Sequence, residues 1–267
     1  KLLSSTSIEV IKGKIKQAID ADRIILATGG RPRLFSGIQL DRKRIISYKE
    51  AMTLESIPKK MIIIGSGAIG VEFAYFYNEY GTEVHIVEMM DRIVPLEDTD
   101  VSKELARNFK KAGIKIYTGA KVSTIKSLKT KVKVLLERKG KEETLEGEIA
   151  LVAVGVTGNI ENIGLEDVGV ETDGDSIVTN EYNKTSISNI YAVGDVSGPP
   201  WLAHVASAEG QVAAEHATGH PTLPVDYSNI PGCTYCQPEV SSIGLTERAA
   251  REKGFDVKIG KFDFSNS

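Results

Sequence analysis

The stretch Met61-Ile62-Ile63-Ile64-Gly65-Ser66-Gly67-Ala68-Ile69-Gly70-Val71-Glu72 decides the fold. Its opening apolar residues lack alternation, as expected of a strand buried on both faces of a parallel sheet. Glycines follow at once. Ile69, Phe73, Phe76, Tyr77 and Tyr80 then recur at helical spacing, and Gly81 stands where a helix C-terminal cap belongs. Strand, Gly-x-Gly-x-x-Gly, helix is the context in which this glycine pattern binds a dinucleotide. Gly65 permits the tight turn, Gly67 lets backbone approach a pyrophosphate, and Gly70 lets helix and strand pack closely. Ser66, Ala68 and Ile69 complete the loop, and the amides at the helix start, with the helix dipole behind them, favour phosphate. A second strand over residues 83–88 ends on Glu88, an acid placed to receive the adenine ribose hydroxyls. A carboxylate there repels a 2′-phosphate, and neither Met89 nor Met90 supplies a cation. The expected nucleotide is therefore NAD rather than NADP, with Arg92 the nearby residue that argues the other way.

Working outward, Val101, Leu105, Phe109 and Ala112 line one face of a helix that opens on Asp98-Thr99-Asp100 and stops at Gly113. Strand, helix, strand, helix is the rhythm of a doubly wound sheet. Residues 114–117, 122–125, 132–136 and 149–154 then read as strands of a β-meander. Its lysines interleave with Glu137, Glu142, Glu143, Glu146 and Glu148, the pattern of a solvated face rather than a nucleic-acid patch. Upstream, short strands at 8–10 and 24–26 lead into a Gly-rich turn, Ala27-Thr28-Gly29-Gly30. Downstream, a strand over 190–193 ends in Gly194-Asp195, and an Ala-rich helix follows from about Val205 to Thr218.

The 267 residues carry 33 Lys plus Arg against 36 Asp plus Glu, a formal net charge of -3 that argues against a nucleic-acid binder. Hydrophobic residues at 41% and charged residues at 26% are ordinary globular values and exclude disordered or coiled-coil chains. Two cysteines make no disulfide scaffold, and they favour a reducing, cytoplasmic home. No apolar run reaches the roughly 18 residues a membrane span needs, and no charged-then-apolar leader is present. The chain opens on Lys1 and closes on Phe262-Asp263-Phe264-Ser265-Asn266-Ser267 in mid-alternation, so it is read as a fragment of a longer protein.

Ala27-Thr28-Gly29, the 65–72 run, Asp91-Arg92-Ile93-Val94-Pro95 and Tyr191-Ala192-Val193-Gly194-Asp195-Val196 resemble, in order and spacing, the pyridine nucleotide-disulfide oxidoreductases. Leu202-Ala203-His204, Ile230-Pro231-Gly232, Pro238-Glu239-Val240 and Gly244-Leu245-Thr246-Glu247 bring the resemblance nearest to the members that oxidise dihydrolipoyl groups. It covers essentially the whole chain. It implies an α/β fold in which a Rossmann-like NAD-binding domain (34–157) is inserted in a partial FAD-binding domain (1–33, with a return over 158–228), followed by the start of an α+β dimerisation domain (229–267). Thr28, Gly29 and Gly30 would touch FAD, Asp195 would accept from its ribityl chain, and Trp201, Leu202, Ala203 and His204 would run past the flavin. On the NAD side the resemblance adds Val122 beside the adenine, Gly155 near the nicotinamide, and Glu72 pointing toward nicotinamide and flavin. Taken alone, Glu72 is a first-turn acid satisfied by the helix dipole.

The same resemblance implies an oxidoreductase that works as a homodimer. Electrons pass from dihydrolipoyl groups on the acyltransferase of a 2-oxo acid dehydrogenase complex to a Cys-x-x-x-x-Cys disulfide, then through FAD to NAD, with a His-Glu pair of the partner subunit as base. None of those four residues is in the sequence; they are expected upstream of Lys1 and downstream of Ser267, so the fragment alone is expected to bind NAD weakly and not to turn over. Other disulfide reductases of mercuric or glutathione type, which Glu88 disfavours where they are NADP-linked, and a non-catalytic NAD-binding module are the alternatives. Two motifs are set aside. Cys233-Thr234-Tyr235-Cys236 has thioredoxin-like spacing, but Pro231-Gly232 and Gln237-Pro238 around it argue for extended, inert chain, and no second ligand pair supports a metal. His220-Pro221 continues into Pro224-Val225-Asp226 without the needed glutamate and reads as a loop. His85 is expected to be packed within its strand and His216 to suit the end of its helix. Gly155-Val156-Thr157-Gly158-Asn159 departs from the many relatives that carry an arginine after the glycine.

Overall fold

The computed structural model describes residues 1–264. The last residues of the closing alternation, Ser265, Asn266 and Ser267, lie outside the described residues. Contacts divide the chain into two compact units, each assembled from two stretches: Lys1–Arg33 with Gly155–Tyr227, and Leu34–Val154 with the segment that begins at Ser228.

The second unit is built on five parallel strands, in the order Ile45–Ile46, Ile149–Val152, Lys60–Ile64 (β1), Glu83–Val87 (β2) and Lys115–Tyr117. Ile62 stands opposite Ala150 on one side and His85 on the other. The unbroken apolar run of β1 has a direct cause: its two faces belong to two different cores. Met61 and Ile63 pack with Val71, Ala74 and Tyr77 of the helix Ala68–Glu79 (α1) and with Leu105 and Phe109 of the helix Thr99–Lys111 (α2). Ile62 and Ile64 pack with Ala120, Ile125, Val132, Val134 and Leu136 of an antiparallel meander. The unit therefore has three layers, helices, parallel sheet and meander. Tyr77, buried at the centre of the helical side, donates its hydroxyl to the Ala51 carbonyl, and burial pushes that phenol up.

The meander differs from the one expected. Its strands are Ala120–Ser127, Val132–Arg138 and Lys141–Gly147, whereas Lys115–Tyr117 and Ile149–Val152 belong to the parallel sheet. The Lys141–Gly147 strand hides in the sequence because Leu145 is its one large apolar side chain; it lies at the outer edge of the meander, where one face and the free edge are wet. Ile149–Val152, by contrast, is buried throughout, as a central parallel strand must be. The segment after 229, read as the start of a separate dimerisation domain, groups by contacts with Leu34–Val154. Cys236 and Val240 sit in the same core as Met61 and Val71.

In the first unit, Leu2–Ser4, Ser7–Lys12 and Ile15–Asp20 form an antiparallel sheet. Ile24–Leu26 pairs in parallel with Ile190–Ala192 (β3), and Gly30–Pro32 pairs antiparallel with Val156–Gly158. Leu2, Ile24, Leu26, Leu165, Ile177, Ile190 and Val196 make its core. The helix Ala203–Ala217 (α3) buries Val205, Glu209, Val212 and Ala213 on one stripe. Among the described residues no helix is long and apolar enough to cross a membrane.

Candidate functional site

The three glycines of the 65–70 loop are not equivalent. Gly65 has φ +99°, and a β-carbon there would press into the backbone carbonyl of Ala153; one on Gly70 would press into the carbonyl of Gly65. The chain itself therefore demands both. At Gly67 a β-carbon would meet nothing within 4 Å. No neighbour of its own requires a glycine there, so the open space above the start of α1, faced by helix amides, is a cradle that fits a bound pyrophosphate.

Glu88 stands at the end of β2 as expected, but its carboxylate does not hang free. Ser66, fully buried, donates both its N–H (2.8 Å) and its hydroxyl (2.7 Å) to Glu88 Oε2. The Met90 N–H donates to Oε1 at 2.8 Å, and Glu88 itself is only 8% exposed. An ionised carboxylate offers about four acceptor positions; three are filled, and one remains on Oε1. The Val94 N–H donates to the Ser66 carbonyl at 2.9 Å, which ties the loop to the chain beyond β2 a third time. Arg92 is turned to that chain, donating to Asp91 Oδ1 (3.0 Å) and to the Pro95 carbonyl (2.9 Å).

The remaining nucleotide-side residues come from separate elements. Val122 is half-buried, at a register shift in the meander strand whose first amide, Ala120 N–H, donates to the Glu88 carbonyl. Glu72 accepts the Tyr235 N–H at 2.9 Å, so a backbone amide already engages its carboxylate. Gly155 groups with the first unit: the boundary expected after Thr157 falls between Val154 and Gly155, where φ is +114° and the Gly155 carbonyl accepts the Arg33 N–H at 2.9 Å.

On the first unit, Thr28 and Asn159 exchange hydrogen bonds, Thr28 Oγ1 to the Asn159 carbonyl and Asn159 Nδ2 to the Thr28 carbonyl, both at 2.9 Å. Arg31 donates to the Gly158 carbonyl (2.7 Å) and pairs with Glu161. Gly29 has φ +70° with open space around it, whereas a β-carbon on Gly30 would meet Val156 and Asp195. Asp195 rides on the one-turn helix Gly194–Ser197 that follows β3. Trp201 lies under the Arg33 guanidinium (5.9 Å), and its Nε1 is buried without a partner among the described residues. That orphaned donor fits a site completed by a bound acceptor. Leu202 caps the start of α3, and Ala203 and His204 occupy its exposed first turn.

One functional-looking residue escaped the sequence reading. Glu209, 4% exposed on α3, accepts the Gly194 N–H (2.7 Å) and the Tyr227 hydroxyl (2.6 Å), so it holds the turn that carries Asp195. Burial, with Glu209 beside it, pushes Tyr227 up to about 12. The available signal was an acid on the buried Val205, Val212, Ala213 stripe.

The two cysteines read as inert differ in their surroundings. Cys233 lies in the strand Gly232–Thr234, and Cys236 is buried, donating to the Pro238 carbonyl at 3.2 Å. Burial, then the charge of Glu72, pushes the Cys236 thiol up to about 11. Native protein treated with iodoacetamide near pH 8 is therefore expected to be labelled at Cys233 while Cys236 stays unmodified until denaturant is added; peptide mass spectrometry reads both sites, and rapid native labelling of Cys236 would contradict this. His85 is buried with Nε2 on Glu83 (2.8 Å), and burial lowers its pKa. His216 bonds the Tyr191 hydroxyl at 2.9 Å. Among the described residues no group of three His, Cys, Asp or Glu could hold a metal ion.

The family model described as pyridine nucleotide-disulphide oxidoreductase matches residues 4–210, and the dimerisation domain of that family matches residues 230–267. The chain is 45% identical, over 92% of its length, to a dihydrolipoyl dehydrogenase of Rhizobium etli, of which it covers 51%. It is 41% identical, over 98% of its length, to a dihydrolipoyl dehydrogenase of Bacillus subtilis, of which it covers 56%. Among solved structures, LpdA from Mycobacterium tuberculosis superposes with a TM-score of 0.86 at 28% identity, over 93% of this chain and 54% of that one. The HOCl-induced flavoprotein disulfide reductase RclA from Escherichia coli superposes at 0.84 with 24% identity, over 96% and 58%, a likeness of fold alone. The chain spans about half the length of the curated relatives it matches.

Proposed function

Since this chain belongs to the pyridine nucleotide-disulphide oxidoreductases, we propose that it is the nucleotide-binding half of a dihydrolipoyl dehydrogenase, which oxidises dihydrolipoyl groups and reduces NAD. The observation that carries the reading is Gly67, a glycine that no described atom within 4 Å requires, at the mouth of a loop built to face phosphate. The loop residues Gly65, Ser66, Gly67, Ala68, Ile69 and Gly70 would hold the NAD pyrophosphate, Glu88 the adenine ribose, and Val122 the adenine side. Thr28, Gly29, Gly30, Asp195 and the run Trp201, Leu202, Ala203 and His204 would hold FAD. When bound, the flavin supplies two-electron transfer between a dithiol and the nicotinamide.

This chain's own residues orient and select. Glu88, with one acceptor position left, takes a ribose hydroxyl and repels a 2′-phosphate. Glu209 fixes the Gly194 amide and with it the turn of Asp195. Glu72 and Gly155 belong on the nicotinamide side, with Glu72 steadied by the Tyr235 amide. The redox cysteines and the His-Glu base are assigned outside these 267 residues, so no catalytic residue is named among them. The match of residues 230–267 to a dimerisation domain supports a homodimer; the lipoyl domain of a 2-oxo acid dehydrogenase acyltransferase, in the cytoplasm, is the partner this reading implies.

Titration calorimetry of this chain tests it. NADH is expected to bind at least about tenfold more tightly than NADPH, a difference of roughly 1.4 kcal/mol, and lipoamide is not expected to turn over. Tighter NADPH binding, or lipoamide reduction by this chain alone, would overturn the reading.

A further inference from the structure

We propose that Ser66 sets the nucleotide preference of this site, acting through Glu88 as a positioning residue. The inference rests on the reading that the 65–70 loop binds a nicotinamide nucleotide. The motif explains the glycines but leaves the residue after the first of them unspecified, and here that residue is a serine with no exposed surface. Any residue at this position would offer its N–H to Glu88. The serine adds its hydroxyl to the same oxygen, 2.7 Å against 2.8 Å for the N–H. Its carbonyl, in the following peptide, is held in turn by the Val94 N–H, so Ser66 is anchored through both of its peptide groups.

The effect on selectivity follows from what Glu88 is able to do. A carboxylate loosely placed at a strand end can swing away from an incoming 2′-phosphate, and a protein with such an acid discriminates weakly. A carboxylate pinned by two charge-assisted hydrogen bonds on one oxygen, and by the Met90 N–H on the other, would have to break them inside a site where Glu88 is only 8% exposed. It stays and repels the phosphate. Arg92, the neighbouring cation, turns both terminal nitrogens to other partners, Asp91 and the Pro95 carbonyl, and its Nε is buried without a partner among the described residues. The pinned acid keeps its free acceptor position on Oε1, which suits a ribose hydroxyl and not a second anion.

The test is a double-mutant cycle read by NADH and NADPH dissociation constants and by Tm, on the whole chain. Ser66→Ala is expected to weaken NADH about threefold and strengthen NADPH about threefold, compressing the preference roughly tenfold, as the loss of one charge-assisted hydrogen bond allows. In a Glu88→Gln background, Ser66→Ala should change the ratio by less than about twofold, because the group through which it acts is gone. A merely structural serine would lower Tm and weaken both nucleotides alike; that result, an unchanged ratio, or the same compression without Glu88 would overturn the proposal and leave the nucleotide site standing. Parent protein that binds neither nucleotide would instead overturn the reading beneath it. Should Ser66→Ala not fold, Ser66→Cys, similar in size with a weak donor, takes its place and is expected to shift the ratio the same way.

Discussion

A Gly67→Ala chain should melt within about 4 °C of its parent and yet bind NADH at least about a hundredfold more weakly, a loss of roughly 2.7 kcal/mol. The two halves of that expectation come from separate observations. Gly67 sits at φ −67°, ψ −177°, extended backbone that alanine adopts freely, and its β-carbon would touch no described atom within 4 Å. As the cap of α1 it gives no side-chain hydrogen bond, so alanine there costs the helix at most about 1 kcal/mol. The same methyl, however, projects into the space where helix amides converge, and a pyrophosphate drawn to them would collide with it. Calorimetry beside a thermal scan separates the two effects. Undiminished NADH binding by a folded Gly67→Ala chain would mean that the loop is not the phosphate cradle.

Gly65→Ala and Gly70→Ala should do the reverse, each costing more than about 4 kcal/mol and unfolding the 34–154 stretch. At Gly65 two penalties combine: φ of +99°, which an L side chain adopts only under strain, and a β-carbon driven into the Ala153 carbonyl. At Gly70 the backbone is helical and the conformation is free, but the β-carbon would meet the carbonyl of Gly65. Since each obstacle is backbone held between β1 and its neighbouring strand, neither can give way as a side-chain tip would. Chemical denaturation followed by circular dichroism measures the loss, and a Gly70→Ala chain within 1 kcal/mol of the parent, on the order of an ordinary substitution, would refute the close packing described.

The parallel core of the second unit was legible because its physics is local and repetitive. Residues 61–64 read as a doubly buried strand and are one; of the helical stripe Val101, Leu105, Phe109 and Ala112, the middle two face the sheet while Val101 and Ala112 at its ends are exposed. What escaped depends on partners far along the chain. The Lys141–Gly147 strand is polar because its place at the edge of the meander asks for little apolar surface, so alternation could not reveal it. The capture of Glu88 by Ser66 and of Glu72 by the Tyr235 amide are side-chain choices that spacing does not encode. Glu209 was readable as an acid on an apolar stripe, but its purpose appears only once Gly194 and Tyr227 are placed around it. The change of unit at Gly155 rather than after Thr157 likewise follows from the pairing of Val156–Gly158 with Gly30–Pro32, a match of residues that nothing local announces.

That long-range pairing shapes how the chain must be made. Among the described residues Ile24–Leu26 pairs only with Ile190–Ala192, so that pair waits on the order of ten to thirty seconds at typical translation rates of roughly 5–20 residues per second. During that interval the Leu34–Val154 stretch, whose strands pair among themselves, can gather on the ribosome, as can the sheet of residues 2–20, while Ile24–Leu26 and Gly30–Pro32 wait for Ile190–Ala192 and Val156–Gly158. Slow, high-separation closure of this kind leaves strand edges open to the wrong neighbour. The parallel pairing of Ile24–Leu26 with Ile190–Ala192 is accordingly the step at which assembly of this stretch is most exposed to misjoining.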